Sequence, residues 1–398
     1  MRLNKFAVVT FNVFLLSPFA SIPLLILQLK KRVDTGIVVV ISLLIGFLSA
    51  NFIPFYSNDK TRYIERYDFF NNYTFSDLIN YFKYASRPDY LFDTVNFLFS
   101  KMGVDYKYFF FTITFVSVFL TITAIKLILK HLLSKPIALN HSILLLILSS
   151  LSLVNVLSGL RFFLGGSFFL WFLYYFYFRN NYKLSLLFIL LAFLTHFSYS
   201  LPLLVTIASS FLRLNSNAIK LLLLFSLSFL LLTPDNITNV FELLSLPSQY
   251  TNKAEAYLNW DIESSENLVI LNHIRNLWFY FAFLYLLFSK PYNRYNFFIL
   301  AALFVTAINF FYPLPVVFNR YITFFKVVFA VYLIFLREEG MIRSKTFHFF
   351  LAFFILGFLV DILVLRQNFE ASYHLDNMWT IYHIFEADST SPVYIYPR

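Results

Sequence analysis

The amino-acid sequence predicts an all-α, polytopic integral membrane protein with about twelve transmembrane helices. Of the 398 residues, 59% are hydrophobic and only 13% are charged, and the mean hydropathy is +0.70. A soluble domain is closer to half apolar and a quarter charged. The apolar residues also fall in long runs, and a run of about 20 such residues spans a bilayer as a helix. The composition therefore excludes a soluble globular enzyme and a disordered chain.

The apolar segments are long enough to be counted along the chain. The first is too long for the apolar core of a signal peptide, which has about 7–15 residues. The stretch 184–212 is interrupted by polar residues at 195–200 and by Pro202. We predict that it forms two short or broken helices that meet near His196, because a single span would reverse the charge bias of every later loop. The predicted segments are 6–29, 36–55, 108–129, 141–157, 160–178, 183–194, 197–212, 219–233, 275–289, 295–312, 316–336 and 346–365.

Basic residues set the predicted orientation, because cytoplasmic loops of membrane proteins are enriched in Lys and Arg. Alternate short loops carry nearly all of the basic residues found in short loops, for example Lys30, Lys31 and Arg32 after the first segment. If those loops are cytoplasmic, both termini lie outside. The chain then forms one integral domain, 1–398, with long extracytoplasmic loops at 56–107 and 234–274 and an extracytoplasmic tail at 366–398.

The outer loops are predicted to contain short amphipathic helices lying against the membrane or packed on the helical bundle. Apolar residues recur at helical spacing, and Gly103 suits the position just after a helix. Similar segments occur at 237–245 and 248–259. The residues that define the two helices in the first loop are Phe75, Leu78, Ile79 and Phe82, followed by Leu91, Val95, Leu98 and Met102.

Several function classes lack their sequence signatures. The chain has no cysteine, which excludes disulfides and thiolate chemistry. It has no P-loop, dinucleotide fingerprint, zincin motif or nucleophile elbow. It also lacks a D-x-D pair and a cluster of metal ligands, so we expect no metal and no cofactor. The net charge of +10 reflects the loop bias rather than a nucleic-acid partner.

Ionisable residues within apolar segments are the first functional candidates, because an ionised Arg at the bilayer centre costs at least about 2.5–3.5 kcal/mol. Arg161 opens a helix, and Gly165 and Gly166 leave space beside it that an anionic head group would fill. The alternative is that its side chain reaches the outer interface. The full set is Arg161, His196, Arg275, Arg320, Lys326 and Asp361.

The other members of this set allow similar alternatives. Arg320 follows a rigid Pro-containing turn, and Arg275 is either an interface anchor or part of a site. His196 either lines a cavity at a helix break or makes a structural hydrogen bond. Lys326 and Asp361 suit structural ion pairs. Several arginines facing one outward cavity would match a phosphate or diphosphate, as carried by a lipid-linked sugar or by the substrate of an anion transporter.

The first outer loop supplies carboxylates and tyrosines. Asp59 or Asp89 would act as a general base on a sugar hydroxyl. Alternatively, Asp89 caps a helix, and Asp59 is solvated or paired with Arg62. Tyr63 and Tyr90 would stack on sugar rings, although tyrosine is also common at membrane interfaces.

These residues together resemble the EpsG/Wzy-type bacterial polysaccharide polymerases. The resemblance rests on four features: Asp59 followed by Tyr63 and Tyr67; Pro88-Asp89-Tyr90 before a helix that ends at Gly103; Arg161 to Gly166; and His196-Phe197-Ser198-Tyr199 with a late Asn319-Arg320-Tyr321.

The resemblance implies an enzyme that joins oligosaccharide repeat units carried on undecaprenyl diphosphate, at the outer face of the bacterial cytoplasmic membrane. The product would be a capsule, an O-antigen or an exopolysaccharide. The implied partners are membrane lipid, a chain-length regulator and a flippase. On this reading Arg161, Arg320 and Arg275 bind diphosphate, Tyr63 and Tyr90 bind sugar, and the base is Asp59, Asp89 or His196.

Three alternatives remain open at the level of sequence. A flippase for the same lipid-linked unit would show two similar halves, which we do not find. A membrane acyltransferase would place catalytic histidines toward the cytoplasm. Another lipid-linked-sugar glycosyltransferase would place acidic residues in the loop after the first span.

Overall fold

The computed structural model describes residues 5–29, 35–84, 89–133, 141–233, 235–237, 239, 266–289, 297–373 and 393–396. Within these ranges the structure is all-helical, apart from one isolated bridge between Phe55 and Ile395. The all-α prediction is therefore confirmed. The helices are α1 (Lys5–Leu16), α2 (Ser21–Leu29), α3 (Thr35–Asn51), α4 (Asp59–Asn71), α5 (Phe75–Tyr84), α6 (Tyr90–Lys101), α7 (Tyr106–Leu133), α8 (His141–Ser150), α9 (Leu153–Leu157), α10 (Leu160–Leu173), α11 (Tyr182–Thr195), α12 (Ser200–Phe211), α13 (Ser216–Ser226), α14 (Glu266–Arg275), α15 (Leu277–Phe288), α16 (Phe297–Phe310), α17 (Pro315–Glu338), α18 (Ser344–Val364) and α19 (Arg366–Ser372).

Three described helices are long and apolar enough to cross a membrane: α7, α17 and α18. Eight shorter apolar segments accompany them in the described part of the chain. The length and apolar composition of these helices are those of a membrane protein. The number of twelve transmembrane helices stays a prediction.

Two predicted segments are divided where one continuous helix was expected. The segment 6–29 consists of α1 and α2, separated by a turn at Pro18, whose carbonyl accepts a hydrogen bond from Ser21 Oγ. Proline ends α1 because its ring obstructs the helical backbone. The segment 141–157 consists of α8 and α9, and Ser152 caps the second helix through the backbone N–H of Asn155.

The predicted break near His196 is confirmed. Helix α11 ends at Thr195, and His196 adopts an extended backbone with φ −158° and ψ 112°. A short 3₁₀ turn, Phe197–Tyr199, precedes α12. Pro202 lies in the first turn of α12, where a missing N–H costs little.

The chain divides into two compact units. The first comprises Met1–Leu148, Ser152–Phe197 and Asp361–Arg398. In this unit α3 and α10 both pack along α7, α10 also packs on α11, and α4 packs on α6. The second unit comprises Ser149–Leu151 and Ser198–Val360. There α16 packs against α12, α13 and α17.

The first outer loop contains the two amphipathic helices that the periodicity predicts, now α5 and α6, preceded by α4. Helix α6 ends as expected, because Gly103 adopts φ +67°. The side of α6 that packs on α4 is partly polar. Leu98 and Met102 are exposed, whereas Asp93 and Asn96 are buried, because the neighbouring helix α4 supplies polar partners for them.

The tail returns to the end of α3 in the first unit. Asn368 Nδ2 donates to the Ile53 carbonyl at 3.0 Å, and Ser372 Oγ accepts from the Ile53 N–H at 2.7 Å. Tyr373 Oη donates to the Leu48 carbonyl at 2.6 Å. The described part of the tail thus lies beside the start of the first outer loop. The predicted helices at 237–245 and 248–259 lie outside the described residues, apart from 237 and 239.

We expect Gly103→Ala to lower the free energy of unfolding by about 1 kcal/mol, because an L side chain disfavours a positive φ. An added Cβ would meet no atom within 4 Å, so the loss comes from the backbone alone. Gly103→Asn, which tolerates this conformation better, is the matched control. Thermal unfolding of the detergent-solubilised protein measures both, and equal melting temperatures for Ala and wild type would contradict the assignment.

Candidate active site

Three elements of the first unit bring Tyr63, Asp89 and Arg161 together. Tyr63 lies on α4, Asp89 directly precedes α6, and Arg161 lies in the first turn of α10. Arg161 Nη1 donates to Asp89 Oδ2, and Arg161 Nε donates to Tyr63 Oη at 2.9 Å. Three residues proposed separately from the sequence therefore form one cluster.

The Arg161–Asp89 ion pair is buried. The side chains are 11% and 4% exposed. Charge-assisted hydrogen bonds of this kind are among the strong ones, and a buried charge that loses its partner is strongly destabilising. Asp89 occupies the N-cap position of α6, yet its side chain makes no capping hydrogen bond. Its carboxylate accepts a hydrogen bond from Arg161 instead.

A tight turn places Arg161 at the start of α10. Gly159 precedes the helix, and a Cβ added there would lie 2.7 Å from Asn155 Oδ1. The same Cβ would lie 3.2 Å from Asn155 Cα, a tight backbone contact that favours glycine between α9 and α10. The following residue, Phe162, contacts His196 edge-on, with ring centroids 5.7 Å apart. His196, which is buried, thus lies beside the first turn of α10.

Tyr63 is buried within the cluster rather than offered to solvent. It is 1% exposed, and its ring lies 4.8 Å from Phe92 and 5.1 Å from the Arg161 guanidinium carbon. Burial is the main cause that raises the pKa of Tyr63 above its usual range, so the phenol stays neutral. This placement fits a residue that orients Arg161 better than a platform for a sugar ring.

A second buried ion pair lies next to the first. Arg66 Nη1 donates to Asp93 Oδ1 at 2.9 Å, and Tyr81 Oη donates to Asp93 Oδ2 at 3.2 Å. The Arg66 guanidinium carbon lies 6.0 Å from the Tyr63 ring centroid, which links the two pairs. Sequence reasoning missed these residues. The available signal was the four-residue spacing of Asp89 and Asp93, which places both on one face of α6.

Helix α4 is anchored at both ends. Near its start, Lys60 is buried and donates to the Ser49 and Phe52 carbonyls at the end of α3. Burial is the main cause that lowers the pKa of Lys60 well below its usual value. Further along, Tyr67 Oη donates to the Phe99 carbonyl at 2.9 Å. These contacts hold Tyr63 and Arg66 in position.

The remaining candidates of the first unit lie at the edge of this cluster. Asp59, one helical turn before Tyr63, pairs with Arg62 at 3.4 Å in a partly exposed position. Tyr90 is exposed, and its ring contacts Phe82. Asp361 accepts a hydrogen bond from the Leu153 N–H at 3.0 Å.

In the second unit, a side-chain hydrogen bond joins the neighbours of the other two predicted arginines. Asn276 Nδ2 donates to Asn319 Oδ1 at 2.7 Å, so the segments that carry Arg275 and Arg320 meet. Lys326 is buried, and its Nζ lies 3.4 Å from the Phe354 carbonyl. Among the described residues no group of three or more His, Asp or Glu side chains is arranged to hold a metal ion.

A comparison with protein-family models matches residues 35–374 to the EpsG family. The chain belongs to the EpsG family. Members of this family are Wzy-like polysaccharide polymerases, which confirms the resemblance drawn from the sequence. EpsG membership implies a glycosyltransferase-like polymerase that acts in polysaccharide biosynthesis at a membrane. Neither the curated proteins nor the solved structures contain a match to this chain.

We expect Asp93→Ala to destabilise this EpsG protein by about 3 kcal/mol, because it leaves Arg66 buried without its carboxylate. The matched control, Asp59→Ala, removes the partly exposed partner of Arg62 and should cost less than about 1 kcal/mol. Denaturant unfolding in detergent compares the two variants. Similar losses would show that the Arg66–Asp93 pair is not the buried anchor described above.

Proposed function

We propose that this EpsG-family protein joins oligosaccharide repeat units carried on undecaprenyl diphosphate, by glycosyl transfer at the outer face of the cytoplasmic membrane. The observation that carries the proposal is the buried Arg161–Asp89 pair. It combines a cation suited to a diphosphate with a carboxylate suited to a sugar hydroxyl, which are the two groups that such a transfer needs.

Arg161 retains hydrogen-bonding capacity for a ligand. A guanidinium has five N–H donors, and two of them bind Tyr63 and Asp89. Among the described residues the other three have no partner, so they are free to bind diphosphate oxygens in a forked geometry. Because the side chain is largely buried, this interaction would occur at a low effective dielectric constant, where it is stronger than in water.

The transfer proceeds by one displacement. A hydroxyl oxygen of the acceptor unit attacks the anomeric carbon of the growing chain and forms the new glycosidic bond. The bond from that carbon to the diphosphate oxygen breaks, and undecaprenyl diphosphate leaves with the electron pair. Arg161 stabilises the charge on the leaving group, and Asp89 accepts the proton of the acceptor hydroxyl.

Asp89 is the preferred base because its carboxylate accepts a hydrogen bond from Arg161, whereas Asp59 pairs with Arg62 in a partly exposed position. Tyr63 acts as a positioning residue for Arg161. His196 lies beside the turn that carries Arg161 and remains the second candidate for the base. The roles of Arg275 and Arg320 as diphosphate ligands stay predictions from the sequence. Tyr90, which is exposed, is proposed as a contact for sugar.

Two features support an outer location for the transfer. Helix α4 carries Tyr63, and helix α6 begins directly after Asp89. Both helices belong to the loop 56–107, which the distribution of Lys and Arg predicts to be extracytoplasmic. The described tail, also predicted to be extracytoplasmic, contacts the start of the same loop through the Phe55–Ile395 bridge.

We expect Arg161→Ala to reduce polymerisation at least about 100-fold, the usual loss when one charge-stabilising donor is removed. The gene is deleted in its host, variants are expressed, and the extracted surface glycan is separated on a gel. Arg161→Lys keeps a positive charge beside Asp89 but loses the planar guanidinium that binds two phosphate oxygens at once. We expect this variant to lose polymerisation as well. Arg343→Ala, at an exposed position, is the matched control and should restore the full ladder.

The pattern on the gel separates the competing functions. A ladder that collapses to one repeat unit on its normal acceptor supports a polymerase. Loss of all surface glycan, with the lipid-linked unit accumulating inside, would instead identify a flippase. An unchanged ladder in the deletion strain would contradict both functions.

A further inference from the structure

A cavity of about 450 Å³ opens on the surface of α5 in the first unit. Its described lining consists of Tyr73, Asp77, Asn80, Tyr81 and Tyr84. Four of these residues are spaced three or four positions apart along α5, so they share one face of the helix. The fifth, Tyr73, lies just before α5. None of these residues was singled out by the sequence, whose periodicity highlighted the apolar face of the same helix.

The chemistry of the lining fits an uncharged saccharide. A sugar ring has apolar C–H faces that pack on tyrosine rings, and hydroxyl groups that bond to carboxylate and amide groups. The described lining contains three tyrosines, one aspartate and one asparagine, and no Lys, Arg or His. The described lining residues themselves carry one negative charge, at Asp77, and no positive charge, which favours an uncharged ligand over a diphosphate.

The cavity is built on a rigid base. Phe70 is fully buried, and the rings of Tyr73 and Tyr81 both contact it, at centroid distances of 5.8 and 5.5 Å. Asp77 accepts hydrogen bonds from the N–H and hydroxyl of Thr74 at 2.8 and 2.7 Å, which fixes its carboxylate. A preorganised surface of this kind loses little conformational entropy when it binds a ligand.

Tyr81 connects the cavity to the candidate active site. Its ring lines the cavity, and its hydroxyl donates to Asp93, the partner of Arg66. Arg66 in turn faces the ring of Tyr63, which binds Arg161. A saccharide in the cavity would therefore contact Tyr81, which hydrogen-bonds to the ion pair next to Tyr63.

We propose that this tyrosine-lined cavity is a saccharide subsite that holds uncharged sugar residues of the repeat units, separately from the diphosphate. The proposal rests on the function proposed above and extends it, because it assigns recognition of the glycan itself to α5. Holding the sugar chain here would keep it at the enzyme between successive transfers.

A binding experiment with lipid-free ligand tests the subsite directly. The probes are oligosaccharides of one to four repeat units, released from the host's surface polysaccharide and free of lipid and diphosphate. Their affinity for the full-length protein in detergent is measured by isothermal titration calorimetry. Tyr84, 86% exposed, is replaced by Ala. The matched control is Tyr182→Ala, at a position that is 68% exposed at the start of α11.

We expect Tyr84→Ala to weaken binding by up to about tenfold, because one stacked ring contributes roughly 1 kcal/mol. Asn80→Ala should also weaken it, and Tyr182→Ala should bind as the wild type does. Equal affinity of all four proteins, or no binding of the lipid-free probes at all, would overturn the subsite.

The glycan ladder separates failure of the subsite from failure of the polymerase. If the subsite is correct, Tyr84→Ala gives a ladder of shorter chains, whereas Arg161→Lys gives a single repeat unit. A normal ladder in the Tyr84→Ala strain, together with collapse in the Arg161→Lys strain, would reject the subsite and keep the polymerase. An unchanged ladder in the deletion strain would reject the polymerase, and the calorimetry would still decide whether the cavity binds saccharide.

Discussion

A buried guanidinium must find a counter-charge, and in this protein that requirement organises the first outer loop. Arg161 enters α10 with its side chain largely buried, and Asp89 supplies the matching carboxylate. Because Asp89 directly precedes α6, the ion pair connects the start of α6 to the first turn of α10. Tyr63 completes the arrangement by accepting a hydrogen bond from the same guanidinium, which ties α4 to it. Three elements far apart in the chain therefore meet at one charged group.

The same requirement recurs one helical turn along α6. Asp93 is buried and accepts hydrogen bonds from Arg66 and Tyr81, so α4 and α5 are tied to α6 by a second charge pair. Buried ion pairs contribute little net stability when they form, but they tolerate few alternative arrangements. In a polysaccharide polymerase, we regard this precision of position as their main contribution.

Local sequence features predicted much of the helical framework. Gly103 marked the end of α6, and the polar interruption around His196 marked the break before α12, because positive φ and helix breaks are decided by nearby residues. The turn at Pro18 was not predicted, because the apolar segment 6–29 is long enough for a single transmembrane helix. The polar contacts of α6 were not predicted. Apolar spacing identified Leu98 and Met102 as part of its apolar face, whereas Asp93 and Asn96 are buried against α4.

Composition and periodicity by themselves determined that the chain is an all-helical membrane protein. Individual motifs identified Asp89 and Arg161 as candidates, because apolar runs, caps and isolated charges act within a few residues of the chain. Only the tertiary structure decided that these two residues bind each other, and that Arg66 pairs with Asp93. Their sequence separations, 72 and 27 residues, exceed the reach of any local pattern. A buried charge must have a partner, but which partner it has depends on how the helices pack.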